Sequence, residues 1–232
     1  MSNTIYMAPM EGLTDFTYRN AYEKTFGKGR ITKYFTPFIP AAKKMSKKIK
    51  RDLAAENNDQ IRLVPQLIGN RADEFLMMIR QLEELGFTSV NLNFGCPSGT
   101  VVSKRKGAGF LADPKELEML LEEVLENSPL AVSVKTRVGI KDPDEWEALC
   151  GVYAKFPLEE LIIHPRLQKD YYSGTPRMET FARALEQIHV PLCYNGDICS
   201  VEDYKKVTAA FRAIDRIMIG RGLLENPGLV GE

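Results

Sequence analysis

Eight short apolar runs recur along this 232-residue chain, at residues 5–8, 32–35, 63–67, 89–93, 131–135, 161–164, 192–195 and 216–219. Segments with helical periodicity lie between most of them, at 15–26, 71–85, 114–127, 142–155, 178–187 and 201–211. Strands that alternate with helices cannot be joined by hairpins, so they assemble in parallel. Eight such repeats predict a closed (β/α)8 TIM barrel rather than an open sheet. No linker-like or low-complexity stretch divides the chain, and residues 1–232 read as one domain.

Side chains of a strand alternate between two faces, so the apolar pattern assigns each residue to the barrel interior or to the helix layer. Val90 and Leu92 suit the helix layer, which sends Asn91 and Asn93 inward. Val132 and Val134 send Lys135 inward, and Leu161 with Ile163 leaves His164 inward. The third strand contributes Gln66 and the seventh Asn195. Each of these polar residues stands near the carboxyl end of its strand, the end at which such barrels carry their chemistry. A barrel's middle is expected to be filled with branched apolar side chains, so polar groups from several strands point to a site at the rim.

Two kinds of turn mark the same rim. After the fourth strand, Asn93-Phe94-Gly95-Cys96-Pro97 bends at glycine and ends regular hydrogen bonding at proline, holding the Cys96 thiol at the strand's end. A lone cysteine is more often a small buried hydrophobe. The polar Asn93 and the Gly/Pro bracket argue instead for a presented thiol. After strands seven and eight come Asn195-Gly196-Asp197 and Gly220-Arg221-Gly222. Loops at those two places form the usual phosphate cradle of the fold, with glycine admitting a close backbone approach and Arg221 offering a forked donor.

The four cysteines form no C-x-x-C pair, which disfavours a metal or disulfide framework and makes a reducing cytosol the expected compartment. The start Met1-Ser2-Asn3-Thr4-Ile5 has neither the basic head nor the apolar run of a signal peptide. Net charge is zero, yet Lys43, Lys44, Lys47, Lys48, Lys50 and Arg51 crowd one segment and Lys104-Arg105-Lys106 follows the cysteine turn. Such runs are commonly solvated helix faces, but two of them, one beside the expected site, suit a phosphate-bearing partner.

With these residues in hand, the chain resembles the tRNA-dihydrouridine synthase family, flavoenzymes that reduce uridines in tRNA. The resemblance rests on Ala8-Pro9-Met10-Glu11-Gly12, Gln66, Asn93-Phe94-Gly95-Cys96-Pro97, Lys135-Thr136-Arg137-Val138-Gly139, His164 with Arg166, Asn195-Gly196-Asp197 and Ile219-Gly220-Arg221-Gly222. It implies FMN across the barrel mouth, with Pro9, Met10 and Glu11 against the ring and Gln66 on its edge. Lys135 and His164 would reach the ring and ribityl region, and Asn195, Gly196, Asp197, Gly220 and Arg221 would hold the ribityl chain and phosphate. Asn93 would contact the uracil, Cys96 would be the acid, and NADPH would supply electrons at the same mouth.

Chemistry explains these residue types. The 5,6 double bond of uracil is conjugated to a carbonyl, so hydride adds at carbon 6 and a positioned acid protonates carbon 5. Tyr171 and Tyr172, after the sixth strand, could stack on bases or simply pack as a lid. His164-Pro165-Arg166-Leu167 differs from the family's usual glycine and threonine around the arginine. The chain stops about where the barrel completes, where the family normally continues into a helical domain that helps hold tRNA; that domain is expected to be absent and tRNA binding weak. A flavin barrel that reduces a free pyrimidine or enone is the alternative reading.

Overall fold

The computed structural model describes residues 4–232; Met1–Asn3, part of the start read above for a signal peptide, lie outside the described residues. The strands are β1 (Thr4–Met7), β2 (Ile31–Phe35), β3 (Ile39–Pro40), β4 (Leu63–Val64), β5 (Gln66–Ile68), β6 (Ser89–Phe94), β7 (Ala131–Arg137), β8 (Leu161–His164), β9 (Leu192–Tyr194) and β10 (Arg216–Ile219). All pairings are parallel, in the order β3-β5-β6-β7-β8-β9-β10-β1-β2-β4. β4 and β5 are two halves of one strand, separated at Pro65, which lacks the N–H needed to continue the ladder. One half pairs with β2 and the other with β6, so this broken strand joins the two ends of the sheet and closes the barrel. The Pro65 carbonyl still accepts from the Asn91 amide at 2.9 Å. The eight-fold strand pattern of the sequence is therefore present, with β3 as a short addition.

The helices are α1 (Phe16–Tyr22), α2 (Lys47–Leu53), α3 (Ala72–Glu84), α4 (Gly99–Val102), α5 (Pro114–Asn127), α6 (Glu145–Tyr153), α7 (Met178–Gln187), α8 (Val201–Ala210) and α9 (Arg221–Glu225). Local chemistry sets their ends. Asp113 accepts from the amides of Lys115 and Glu116, ahead of Pro114 at the first helical position of α5. Ser200 and Asp203 form a reciprocal capping box on α8. The first helix is shorter than its pattern predicts. After Tyr22 it widens into a π turn at Glu23–Gly27, where a side chain on Gly27 would meet the Tyr34 hydroxyl at 2.7 Å.

Two separate apolar clusters confirm the strand parity. Val90, Leu92, Val132, Val134, Leu161 and Ile163 pack outward against Phe75, Ile79, Leu117, Leu121 and Leu149 of the helix layer. Tyr6, Ala8, Phe35, Val64, Ile162, Cys193 and Met218 form a smaller cluster inside the barrel. The interior departs from the expected apolar filling. Near its amino-terminal floor, Lys33 Nζ lies 2.7 Å from Glu160 and 3.1 Å from Glu159, and Tyr6 donates its hydroxyl to Glu160 at 2.8 Å. The desolvated charges survive there because opposite charges are held against each other and the Tyr6 hydroxyl satisfies the second oxygen of Glu160. No helix of the described residues is long and apolar enough to cross a membrane.

Candidate active site

At the carboxyl rim a cleft of two connected lobes opens over the interior. The larger, about 620 Å³, is lined by Glu11, Gln66, Asn93 and Cys96, and the smaller, about 100 Å³, by His164, Asn195, Gly196, Asp197 and Gly220. Pro9, Met10, Lys135, Tyr172 and Arg221 border both. Every site residue expected from sequence thus lines one continuous space, though the residues come from seven strands and the loops after them.

Register builds the larger lobe. Gln66 of β5 stands beside Asn91 of β6, which stands beside Ser133 of β7. Their side chains form a chain of hydrogen bonds: Asn93 Nδ2 to Gln66 Oε1 at 2.7 Å, Gln66 Nε2 to Asn91 Oδ1 at 2.8 Å and Asn91 Nδ2 to Ser133 Oγ at 2.9 Å. Asn93 and Gln66 therefore each keep one amide hydrogen for a ligand. The Asn93 oxygen has a second use. It accepts from the amides of Gly95 at 3.0 Å and Cys96 at 2.9 Å, folding the turn that presents the thiol. Gly107 backs this turn at φ +55°, and a side chain there would strike the Cys96 carbonyl at 2.8 Å.

The smaller lobe is built by glycine and arginine. A Cβ on Gly222 would fall 2.0 Å from the Ile198 carbonyl, so the loops after β9 and β10 approach each other only without a side chain there, and one on Gly196 would fall 2.8 Å from the hydroxyl of Tyr194 in β9. Asp197 accepts from Arg166 through both oxygens, at 2.7 and 2.5 Å, and from Arg221 at 2.6 Å. Its carboxylate is thus committed to orienting two guanidinium groups. Burial alone would raise the Asp197 carboxyl, but the Arg166 bonds and the two nearby cations hold it below its ordinary value.

Burial and neighbouring charge tune the rest. Burial pushes the Cys96 thiol up, against the weaker opposing pull of Arg137 and Lys135. Burial, then Arg137, pushes the Lys135 ammonium down to about 8, with no carboxylate among the groups acting on it. Burial, with Arg137, Lys135 and Arg166 nearby, keeps His164 well below 6.5 and so neutral at physiological pH. Since a guanidinium cannot accept, the 3.3 Å approach of Arg166 Nη1 to His164 Nε2 makes that nitrogen the acceptor. Burial raises the Glu11 carboxyl, and Lys48 of α2 opposes it, which brings the first basic cluster to the mouth.

A cation without an anion, glycine-lined loops beside two arginines, and an elongated cleft fit the ring and phosphate of a flavin nucleotide. Sequence reasoning gave no role to Arg137, Arg166 or Gln168. Arg137 is fully buried beside the cysteine turn, and its position two residues beyond Lys135, on the same strand face, was the available signal. Tyr171 and Tyr172 are 46% and 52% exposed, and the Tyr172 ring lies 4.7 Å from the Arg221 guanidinium carbon. Of the second basic run, Arg105 is paired with Glu116.

The model of the dihydrouridine synthase (Dus) family matches residues 6–232. The chain belongs to this family. Among curated dihydrouridine synthases, the tRNA-dihydrouridine(16) synthase of Pseudomonas syringae pv. tomato is 31% identical over 97% of this chain and 73% of its own length. The Pseudomonas putida enzyme of the same name is 32% identical, over 97% and 71%. tRNA-dihydrouridine synthase B of Pasteurella multocida is 29% identical, over 99% and 68%. Solved structures share the barrel at low identity. Histamine dehydrogenase from Rhizobium sp. 4-9 superposes with a TM-score of 0.73 at 12% identity, over 98% of this dihydrouridine synthase and 45% of that chain. A variant of NCR from Zymomonas mobilis gives 0.64 at 13% identity, over 98% and 84%.

Proposed function

We propose that this protein reduces the 5,6 double bond of a uridine in tRNA to dihydrouridine, with FMN bound in the cleft and NADPH as the source of electrons. When bound and reduced, FMN would supply the hydride that carbon 6 of the uracil takes up. Cys96 delivers the proton to carbon 5, leaving a thiolate that regains its proton from solvent. The observation that carries this reading is the pairing, in one cleft, of a thiol that burial keeps protonated with a half-buried cation that no carboxylate faces. A general acid must hold its proton at the working pH, and the environment of Cys96 meets that condition.

The remaining residues orient and shield. Asn93 and Gln66, each with one free amide hydrogen, address uracil and the flavin edge respectively. Lys135 places positive charge where the reduced cofactor is most electron-rich. Arg221, held by Asp197, and the amides after Gly196 and Gly220 take the phosphate. Neutral His164 offers the ribityl region a donor or acceptor without adding to the crowd of cations. The target base must leave its stack to enter so narrow a mouth, and the exposed Tyr171 and Tyr172 stand where it would pass. A tRNA substrate supports the cytoplasm as its compartment.

Nucleosides of tRNA from cells lacking the protein should be short of dihydrouridine, and the purified protein with NADPH should restore it. Unchanged dihydrouridine in those cells, with turnover of free uracil or an enone by the purified protein, would replace tRNA by a small-molecule substrate.

A further inference from the structure

Arg137 sits at the end of β7 with each of its three guanidinium nitrogens donating to a backbone carbonyl and its guanidinium carbon 5.5 Å from the centre of the Tyr172 ring. Nε donates to the Gly95 carbonyl at 2.9 Å, Nη1 to the Leu167 carbonyl at 2.8 Å and Nη2 to the Tyr171 carbonyl at 2.6 Å. Gly95 immediately precedes Cys96. Leu167 and Tyr171 belong to the loop after β8, two strands along the rim from the cysteine turn. A second bond closes the same gap, from Gln168 Nε2 to the Pro97 carbonyl at 3.0 Å. The residues on either side of Cys96 are thus both tied to one facing loop. Tyr171 is held in a left-handed conformation at φ 49°, unusual for a bulky residue, while its carbonyl is gripped by Arg137. Such backbone persists only where its surroundings over-determine it, and it concentrates at functional sites.

We propose that Arg137 is the positioning residue for Cys96: by gripping the carbonyl before the thiol and two carbonyls of the loop after β8 at once, it fixes where the acid stands relative to the wall that an incoming base must pass. The inference rests on Cys96 being the proton donor. Three divergent carbonyls need a planar, forked donor, which lysine cannot replace. A reactive group misplaced by about 1 Å costs on the order of 10²-fold in rate.

The test compares Arg137→Met, Arg137→Lys and Gln168→Ala with the parent protein, loaded with FMN. One measurement is the rate at which iodoacetamide alkylates Cys96 across pH, read by mass spectrometry; the charged groups acting on that thiol are Arg137, Lys135 and Glu11. The other is kcat and KM on unmodified tRNA transcript. Arg137→Met should move the alkylation profile to higher pH, because a cation beside the thiol is gone, and lower kcat about 10²-fold with little change in KM. Arg137→Lys should restore the profile but not kcat. Gln168→Ala, which cuts only the outer tie on a partly exposed side chain, should lower kcat several-fold and leave Cys96 more readily alkylated at a fixed pH. An Arg137→Met protein with unchanged alkylation and kcat would overturn the proposal. Should the Arg137 variants fail to fold, a Gln168→Ala protein indistinguishable from the parent does so instead. A parent protein that makes no dihydrouridine would refute the proposed function, while the alkylation rates would still report whether the clamp holds the thiol.

Discussion

Two lysines point into this barrel, and they live in opposite surroundings. Lys33, near the floor, is 8% exposed and meets Glu160, 1% exposed, at 2.7 Å, with Glu159 and the Tyr6 ring beside it. Lys135, at the rim, meets no carboxylate and faces the cleft with Arg137 nearby, and its charge is correspondingly disfavoured. Floor charges cancel inside the fold. Rim charges do not cancel, and the imbalance is available to a ligand. The difference separates side chains that hold the barrel together from those that serve its chemistry.

If that division is right, removing a rim group should cost rate and spare stability. Cys96→Ala tests it most severely. Reduction of the tRNA uridine should slow by about 10²–10⁴-fold, as for loss of a positioned general acid, while reduction of the flavin by NADPH, which needs no such acid, slows far less. Thermal unfolding should move little. Equal losses in the two half-reactions, measured by stopped-flow absorbance, would make Cys96 a structural residue and erase the contrast at its sharpest point.

The floor should behave in reverse. Lys33→Met leaves the Glu160 carboxylate buried with the Tyr6 hydroxyl as its close partner, and breaking such a pair costs about 3–5 kcal/mol. Replacing both partners, Lys33→Met with Glu160→Leu, should recover most of that loss, since a well-packed apolar pair often matches a buried ion pair. Urea unfolding of both variants measures it. A single variant as stable as the parent would mean that the floor pair is as dispensable as a surface one.

The smallest effect sharpens the comparison most directly. Lys135→Met should weaken FMN binding by about tenfold or more, the worth of one charge-assisted contact, read by fluorescence titration. Without FMN the same variant should be at least as stable as the parent. The sign follows from linkage. Folding lowers the Lys135 value from 10.5 to about 8, so between those values the unfolded chain binds more protons than the native one. The parent therefore gains stability relative to Lys135→Met as pH rises from about 8 toward 10.5. A parent that instead loses stability over that window would mean Lys135 has found an anion inside the fold.

Much of the architecture was legible because it is written locally. Helix segments 114–127 and 178–187 match α5 and α7 because a capping aspartate and a clean apolar stripe mark them. Inward parity was legible wherever a strand carried two outward branched residues, as in β6 and β7. The third strand was seen as one run but not as two halves, because the break at Pro65 depends on which neighbour each half pairs with. Arg137 was reachable by extending the parity of β7 by two residues. The double grip of Arg166 on Asp197 was not, since it joins the loops after β8 and β9, 31 positions apart, which only the closed fold brings together.

By itself the sequence determined the elements, the face each strand residue takes and the turn that presents Cys96, because periods of two and 3.6 and the conformational limits of glycine and proline act between neighbours. It could not distinguish Lys33 from Lys135. Both are lysines at inward positions of apolar strands. Only the closed barrel brings Glu160, 127 positions away, against the first and leaves the second facing an open cleft. Coulomb energy and desolvation depend on what stands within a few ångströms, and for these residues that distance was set by how the ring closed.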